Sequence, residues 1–271
     1  MIPRVLAIAG SDSGGGAGIQ ADIKTITMLG GHAMTAVTAL TAQNTLGVSG
    51  VLPVPAEMVI AQVDAVVADI GVDAVKIGMI GAAATALTVA ERLVRPDLAH
   101  AAIVFDPVMI ATSGAVLADA DTVRAFAALM DVAGVVTPNT PELAALSGMA
   151  VEDEAGMVAA ARLLARRHDI AVVAKGGHLD GADVADLLVT AEGEPVRHAA
   201  ARIDTSSTHG TGCTLSSAIA TGLAASLSLA DAFAQARAYV RAALFAAPGL
   251  GRGHGPMGHG LDRAHFPATP A

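Results

Sequence analysis

Six consecutive residues, His209-Gly210-Thr211-Gly212-Cys213-Thr214, have the composition of an anion site, and the apolar helical stretch Leu215–Ala225 follows at once. Gly210 and Gly212 can take backbone conformations closed to other residues. The amides of Gly212, Cys213 and Thr214 can then converge at the positive end of a helix dipole. Such an arrangement suits the charge that builds on a transferring phosphoryl group. Asp204 and Thr208 lie just upstream. Cys213, the only cysteine, is either a small buried hydrophobe or part of the chemistry. The first turn of a helix lowers a thiol's pKa, so the expectation is a thiolate accessible near neutral pH and able to take a hydroxyl proton.

A second glycine-rich segment, Gly10–Gly18, competes for the phosphate role. It fits G-x-G-x-x-G only if the last glycine is substituted, and no acidic residue closes a second strand about 20 residues on. No G-x-x-x-x-G-K-[ST] sequence occurs either. The loop offers small residues and free amides that let a ligand approach closely, or it is a purely structural turn.

These segments need a scaffold to bring them together. Short apolar runs predict buried strands over Arg4–Ala9, Ala33–Ala39, Ala74–Ile77, Ala102–Phe105, Val135–Val136 and Ile170–Ala174. An antiparallel pair is expected over Asp183–Val189 and Val196–Arg202. Helical patterns cover Gly18–Leu29, Ala56–Ala68, Ala82–Leu93, Asp121–Met130, Pro141–Gly148, Glu154–Arg167, Thr214–Ala225 and Leu229–Ala247. Alternation of this kind implies an α/β fold with a mostly parallel sheet covered by helices on both faces. Ligands of open parallel sheets bind beyond the carboxyl ends of the strands. The polar clusters fall there: Gly10–Gly18, Asp106 to Met109, Thr137 to Glu142, Lys175 to His178, and Asp204–Cys213.

Composition narrows the function classes. The chain has 271 residues, 53% of them apolar, 15% charged and 2% aromatic. Ala, Val, Leu, Ile and Met must therefore build the core. Net charge is −9, from 16 basic against 25 acidic residues. Without a basic run or stacking aromatics, nucleic-acid binding is not expected. No segment reaches the ~20 apolar residues of a membrane helix, and the Val5–Ala9 run is too short for a signal peptide. One cysteine fits a reducing compartment, so a cytoplasmic location is expected. The chain reads as one domain over residues 1–271. Its Gly- and His-rich tail, Gly249–Gly260 and beyond, could bind a metal, but the irregular His spacing favours a flexible terminus (250–271) or a border of the active site.

Together these segments resemble the hydroxymethylpyrimidine/phosphomethylpyrimidine kinases of thiamin biosynthesis, a branch of the ribokinase-like superfamily. The similarity spans residues 4–260. It is carried by Ala9 to Asp22, Thr38 to Thr45, Lys76-Ile77-Gly78-Met79, Asp106-Pro107-Val108-Met109, Lys175-Gly176-Gly177-His178, Thr208–Thr214 and Ala247 to Gly251. The resemblance implies a three-layer ribokinase-like fold. It also implies ATP-dependent phosphorylation of 4-amino-5-hydroxymethyl-2-methylpyrimidine, first to the monophosphate and then to the diphosphate. Pyridoxal or pyridoxine kinase activity on the same scaffold is the alternative.

The resemblance also distributes roles. Cys213 falls at the catalytic base position, with Gly210, Thr211 and Gly212 forming the anion hole. Gln43 and Met79 fall at the pyrimidine-contacting positions, and Gly10, Ala17 and Val108 line the same pocket. A glutamine amide offers one donor and one acceptor edge to an aminopyrimidine. Asp22 either reaches the ligand or caps and pairs within its helix. Asn139, Lys175 and Thr208 fall near the ATP phosphates, as does Arg237, which stands where many relatives carry lysine. Lys175 is otherwise a surface lysine, and Glu142 a helix-start carboxylate. Asp106 and Glu142 resemble the acidic positions near Mg²⁺. The abundance of apolar residues favours a homodimer.

Overall fold

The computed structural model of the chain describes residues 1–260. Nine strands join in one sheet: β1 (Arg4–Asp12), β2 (His32–Asn44), β3 (Gly47–Pro53), β4 (Ala74–Ile77), β5 (Ala102–Phe105), β6 (Val135–Val136), β7 (Ala171–Lys175), β8 (Asp183–Val189) and β9 (Val196–Ala201). Their spatial order is β3-β2-β1-β4-β5-β6-β7-β8-β9. From β2 to β7 all neighbours run parallel, whereas β3, β8 and β9 are antiparallel to theirs.

The helices are α1 (Gly18–Met28), α2 (Ala56–Asp69), α3 (Ala83–Leu93), α4 (Ala120–Met130), α5 (Thr140–Ser147), α6 (Glu154–His168), α7 (Thr211–Ala224) and α8 (Leu229–Phe245). Helices α2 to α6 cover one face of the sheet, burying Val63, Val89, Phe126, Leu143 and Leu164 against Leu6, Phe105 and Val172. Helices α1, α7 and α8 cover the other, where Ile26, Ile219 and Phe233 meet Val5, Val104 and Val173. With both faces covered, β4 is buried along its whole length, Lys76 included.

The sequence places these elements well except at one edge. Hydrophobicity ends the second strand at Ala39 and predicts no strand at Gly47–Pro53. In the structure β2 runs on to Asn44 and pairs with β3, from Ala39↔Pro53 to Asn44↔Gly47. Gly47, Gly50 and Pro53 mask the strand signal, and an edge position tolerates them. The extension carries Thr41 and Gln43 up beside the carboxyl end of β1.

Strand β1 pairs with both β2 and β4, so successive connections leave it in opposite directions. That reversal opens a crevice at the carboxyl ends, the usual ligand position in such sheets. Of the two readings of the tail, its contacts favour a border of the site for residues 250–260. The Arg252 and Gly253 amides donate to Thr45 Oγ1, Gly255 N donates to Ser206 O, and Gly258 N donates to Ala243 O. Residues 261–271 lie outside the described residues.

Candidate active site

A cavity of about 790 Å³ opens at the switch point. Gly10, Ala17, Gln43 and Met79 line one end and Asn139, Glu142 and Lys175 the other, with Val108, Thr208 and Arg237 also in the lining. Asp106 and the Gly210–Cys213 turn lie in its wall as well. The site residues expected from sequence thus converge on one crevice, with one exception.

The exception is Asp22. It is fully buried beneath the cavity, where both carboxylate oxygens accept from Lys76 Nζ at 2.9 and 3.0 Å. Ser217 Oγ donates to the same carboxylate at 2.6 Å. Of the two roles left open for Asp22, pairing is the one its surroundings supply, and it is not among the residues lining the cavity. The charge on Lys76 explains why. An ammonium in the middle of a buried strand needs an anion, and Asp22 on α1 provides it.

The turn into α7 behaves largely as its glycines dictate. Gly210 caps the helix with φ of +84°, and a Cβ there would meet Gly16 O at 2.0 Å. Only glycine can hold this left-handed, close-packed corner. One expectation needs correction. The Thr214 amide is not part of the anion hole, because it already donates to Gly210 O at 2.9 Å as the first regular bond of the helix. The inward-facing donors of the first turn are the amides of Gly212 and Cys213.

A second correction concerns Cys213. Burial pushes its thiol up to about 11; the Lys76 charge and the Gly18 amide oppose the rise, while Asp22 and Asp106 add to it. The helix start expected to favour a thiolate is outweighed by the apolar walls and two carboxylates. The thiol is protonated at neutral pH in the ligand-free protein.

At the other end, Lys175 Nζ donates to Asp106 Oδ1 at 2.7 Å and lies 3.9 Å from Glu142 Oε2. Thr137 Oγ1 donates to the same Asp106 oxygen at 3.0 Å. Asp106 Oδ2 is buried without a hydrogen-bond partner among the described residues. A buried carboxylate oxygen left open beside a phosphate site is suited to a cation. Asn139 and Glu142 form a reciprocal capping box at the start of α5, each side chain accepting the other's amide at 2.9 Å. Burial raises Glu142 to about 7, against the pull of Lys175 and with a push from Asp106. The helix-start role is the one the capping box supplies, and Oε1 is not used in it.

Arg237 lines the cavity, yet its Nε donates to Asp186 Oδ2 at 2.9 Å and its Nη2 to Val184 O at 2.5 Å. Asp186 in turn accepts from Gly176 N at 2.9 Å. The fork of Arg237 therefore braces the Lys175–Gly176 turn, which distinguishes it from a flexible lysine free to follow a phosphate.

Sequence reasoning gave no role to Lys76, Asp12 or His209, although each lies within a quoted motif. A lysine inside the apolar run Ala74–Ile77 was the available signal for the first. Asp12 accepts amides from Gly14, Gly16 and Ala17 at 2.8–2.9 Å, and His209 Nε2 lies 2.9 Å from Asp12 Oδ2. Nothing in the linear sequence joins those two, which stand at opposite ends of the chain.

The sheet order, the switch-point crevice and the glycine-capped anion turn define a ribokinase-like kinase. Among solved structures, the chain superposes on an ADP complex of Bacillus subtilis pyridoxal kinase with a TM-score of 0.87 and 32% identity, covering 96% of this chain and 98% of that one. Residues 12–258 match the family model described as phosphomethylpyrimidine kinase, and the chain belongs to that family. It is 49% identical over 263 residues to the hydroxymethylpyrimidine/phosphomethylpyrimidine kinase of Rhizobium meliloti, covering 96% of this chain and 97% of that protein. It is 48% identical over 256 residues to the thiamine biosynthesis bifunctional protein of Geobacter sulfurreducens, covering 94% of this chain but only 52% of that longer protein. The chain is a phosphotransferase with ATP as its co-substrate.

Proposed function

We propose that the chain phosphorylates 4-amino-5-hydroxymethyl-2-methylpyrimidine to its monophosphate and then to the diphosphate, as a step of thiamin biosynthesis. The observation carrying this reading is the cavity itself: Gln43 and Met79 at one end, the Asp106–Lys175–Glu142 cluster at the other, and the Gly210–Cys213 turn between. A flat ring at the Met79 end, flanked by Gly10, Ala17 and Val108, directs its hydroxymethyl arm toward Cys213. ATP occupies the opposite end, with Asn139, Lys175 and Thr208 near its phosphates and Arg237 bracing the Lys175 turn.

Asp106, with its open Oδ2, and Glu142 would hold Mg²⁺ together with phosphate oxygens. Mg²⁺ there supplies charge neutralisation on the transferring group. The Gly212 and Cys213 amides stabilise the oxygens of that group in the transition state. Cys213 stands at the acceptor hydroxyl and takes its proton as the bond to phosphorus forms. Only the thiolate can accept that proton, so the step draws on the minor fraction of Cys213 that has already lost its own proton to solvent. Asp22 is left out of the ligand contacts and keeps Lys76 paired beneath the site.

A second reading, pyridoxal or pyridoxine kinase, is favoured by the close superposition on the Bacillus subtilis enzyme. Among the described residues no helix is long and apolar enough to cross a membrane, and we read the chain as a cytoplasmic enzyme without a nucleic-acid partner. We read the chain as a homodimer, with Leu40, Val51 and Leu52 exposed on the β2–β3 edge as the surface for a second copy of this chain. Sedimentation velocity tests it. The function is tested by incubating the protein with ATP, Mg²⁺ and hydroxymethylpyrimidine, and separately pyridoxal. Mono- and diphosphate are scored by mass spectrometry, and absence of both pyrimidine products would refute the reading.

A further inference from the structure

Asp12, Thr41, Gln43 and His209 meet at the acceptor end of the cavity in one hydrogen-bonded group. The His209 imidazole is largely buried, 7% exposed, and packs against the Gly10–Gly18 loop: a Cβ on Gly16 would stand 2.6 Å from its Cδ2. Its Nε2 is 2.9 Å from Asp12 Oδ2 and 3.2 Å from the Gln43 side-chain amide.

Proton counting fixes how these groups are arranged. Asp12 is a carboxylate held by three loop amides. Burial opposes its charge, but the His209 bond and the amides of Ala17 and Gly14 outweigh burial and keep the carboxyl below its ordinary range. His209 Nε2 facing that carboxylate must therefore carry a proton. If the Gln43 NH₂ faced the imidazole, two donors would point at each other. Gln43 Oε1 would then face Thr41 Oγ1 at 3.2 Å, whose single proton already goes to Ser11 O at 2.9 Å. The reverse orientation satisfies every group. Oε1 then shares the His209 Nε2–H with Asp12 Oδ2 in a bifurcated bond, Asp12 being the nearer acceptor, and the NH₂ donates to the free lone pair of Thr41 Oγ1.

We propose that His209 is a positioning residue for the acceptor ring: anchored by Asp12, it locks the Gln43 amide with Oε1 toward the imidazole and so sets which ring the site accepts. The inference rests on the reading of Gln43 as the ring contact. One N–H and one lone pair of the locked amide stay available to the ligand. They match the amino donor and adjacent ring-nitrogen acceptor of an aminopyrimidine. A pyridine ring carrying a phenolic oxygen offers an acceptor where the pyrimidine offers its amino donor. An amide free to flip would take either ring, whereas a locked one discriminates.

The test measures KM for hydroxymethylpyrimidine, pyridoxal and ATP in His209→Phe, His209→Gln, Thr41→Val and Gln43→Ala, alone and combined. Losing one oriented hydrogen bond predicts a rise of about tenfold in hydroxymethylpyrimidine KM for His209→Phe, with ATP KM unchanged. Selectivity over pyridoxal falls in the same variant. His209→Gln keeps an N–H within reach of Asp12 and restores most of the loss. Thr41→Val, which leaves the anion turn untouched, weakens the pyrimidine several-fold and keeps the proposal testable should His209→Phe fold poorly. In a Gln43→Ala background neither change has a further effect. A His209→Phe or Thr41→Val effect of the same size with and without Gln43, or no effect of either, overturns the proposal while Gln43 stands. An unchanged pyrimidine KM in Gln43→Ala alone overturns the Gln43 reading and the proposal with it.

Discussion

Lys76 and Asp22 pair at 2.9 Å with neither side chain exposed to solvent. Burial works against both charges. For Lys76 the attraction of Asp22 outweighs it, joined by Cys213 and Asp106, and holds the ammonium above the usual lysine range. Burial raises the Asp22 carboxyl in turn, yet with the ammonium on both its oxygens the pair is ionised. Asp22→Ala strands a buried positive charge and should destabilise the fold by about 3–5 kcal/mol, read by urea denaturation. Replacing both partners with apolar residues of similar volume should cost much less. A single-variant loss below about 1 kcal/mol would show that Lys76 finds another anion.

The same ammonium supports Cys213. With the thiol pushed up to about 11, its thiolate fraction rises about tenfold per pH unit across the neutral range. A proton-accepting role therefore predicts a first-step kcat that climbs between pH 7 and 9, and a Cys213→Ala variant that is flat there. That variant should lose about 10²-fold in the first step, the lower end for general-base catalysis. The second step has an ionised phosphate as nucleophile and should lose much less. Equal losses in both steps, or a flat wild-type profile, would remove the base role and leave the anion hole intact.

Glu142 provides a pH signature in the ligand-free protein. Its folded pKa of about 7 lies above the ordinary glutamate value of 4.5. A group raised in this way contributes stability below its unfolded pKa, and that contribution is lost as pH rises through the folded value. Glu142→Gln keeps the capping box with Asn139, because glutamine serves equally at that position. Relative to wild type, the variant should gain thermal stability progressively between pH 5 and 8. A constant difference in Tm across that range would place the Glu142 pKa near its ordinary value.

Much of this arrangement was legible in the sequence, and the reasons are local. Strand β5 announces itself as a wholly apolar run, and β4 as an apolar run broken only by Lys76, because strands covered on both faces are built largely from apolar residues. Asp106, Lys175 and Gly210 stand out because polar clusters at strand ends have few structural uses. Strand β3 stayed hidden because an exposed edge imposes no hydrophobic pattern. The pairings Asp22–Lys76 and Asp12–His209 were hidden for another reason. Each partner is chosen by the sheet's crossovers, and no spacing along the chain encodes which carboxylate a buried cation will meet. The Cys213 pKa was misread because the helix start is visible in sequence and the walls around it are not.

Gly210 is the sharpest test of that local logic. Its φ of +84° alone makes a side chain costly, on the order of 1 kcal/mol. The added Cβ would also stand 2.0 Å from Gly16 O and 3.1 Å from Ala17 Cα, backbone atoms that cannot swing aside. Gly210→Ala must therefore push the α7 start away from the Gly10–Gly18 loop. That separates the Gly212 and Cys213 amides from the acceptor that the loop holds. The expected outcome is a loss of kcat of about 10² or more, the scale of removing an oxyanion donor, with ATP binding by calorimetry weakened far less. Gly148, at φ +73° with nothing within 4 Å of its Cβ position, is the matched control. Gly148→Ala bears the same backbone strain without the clash, and should lose stability while keeping kcat.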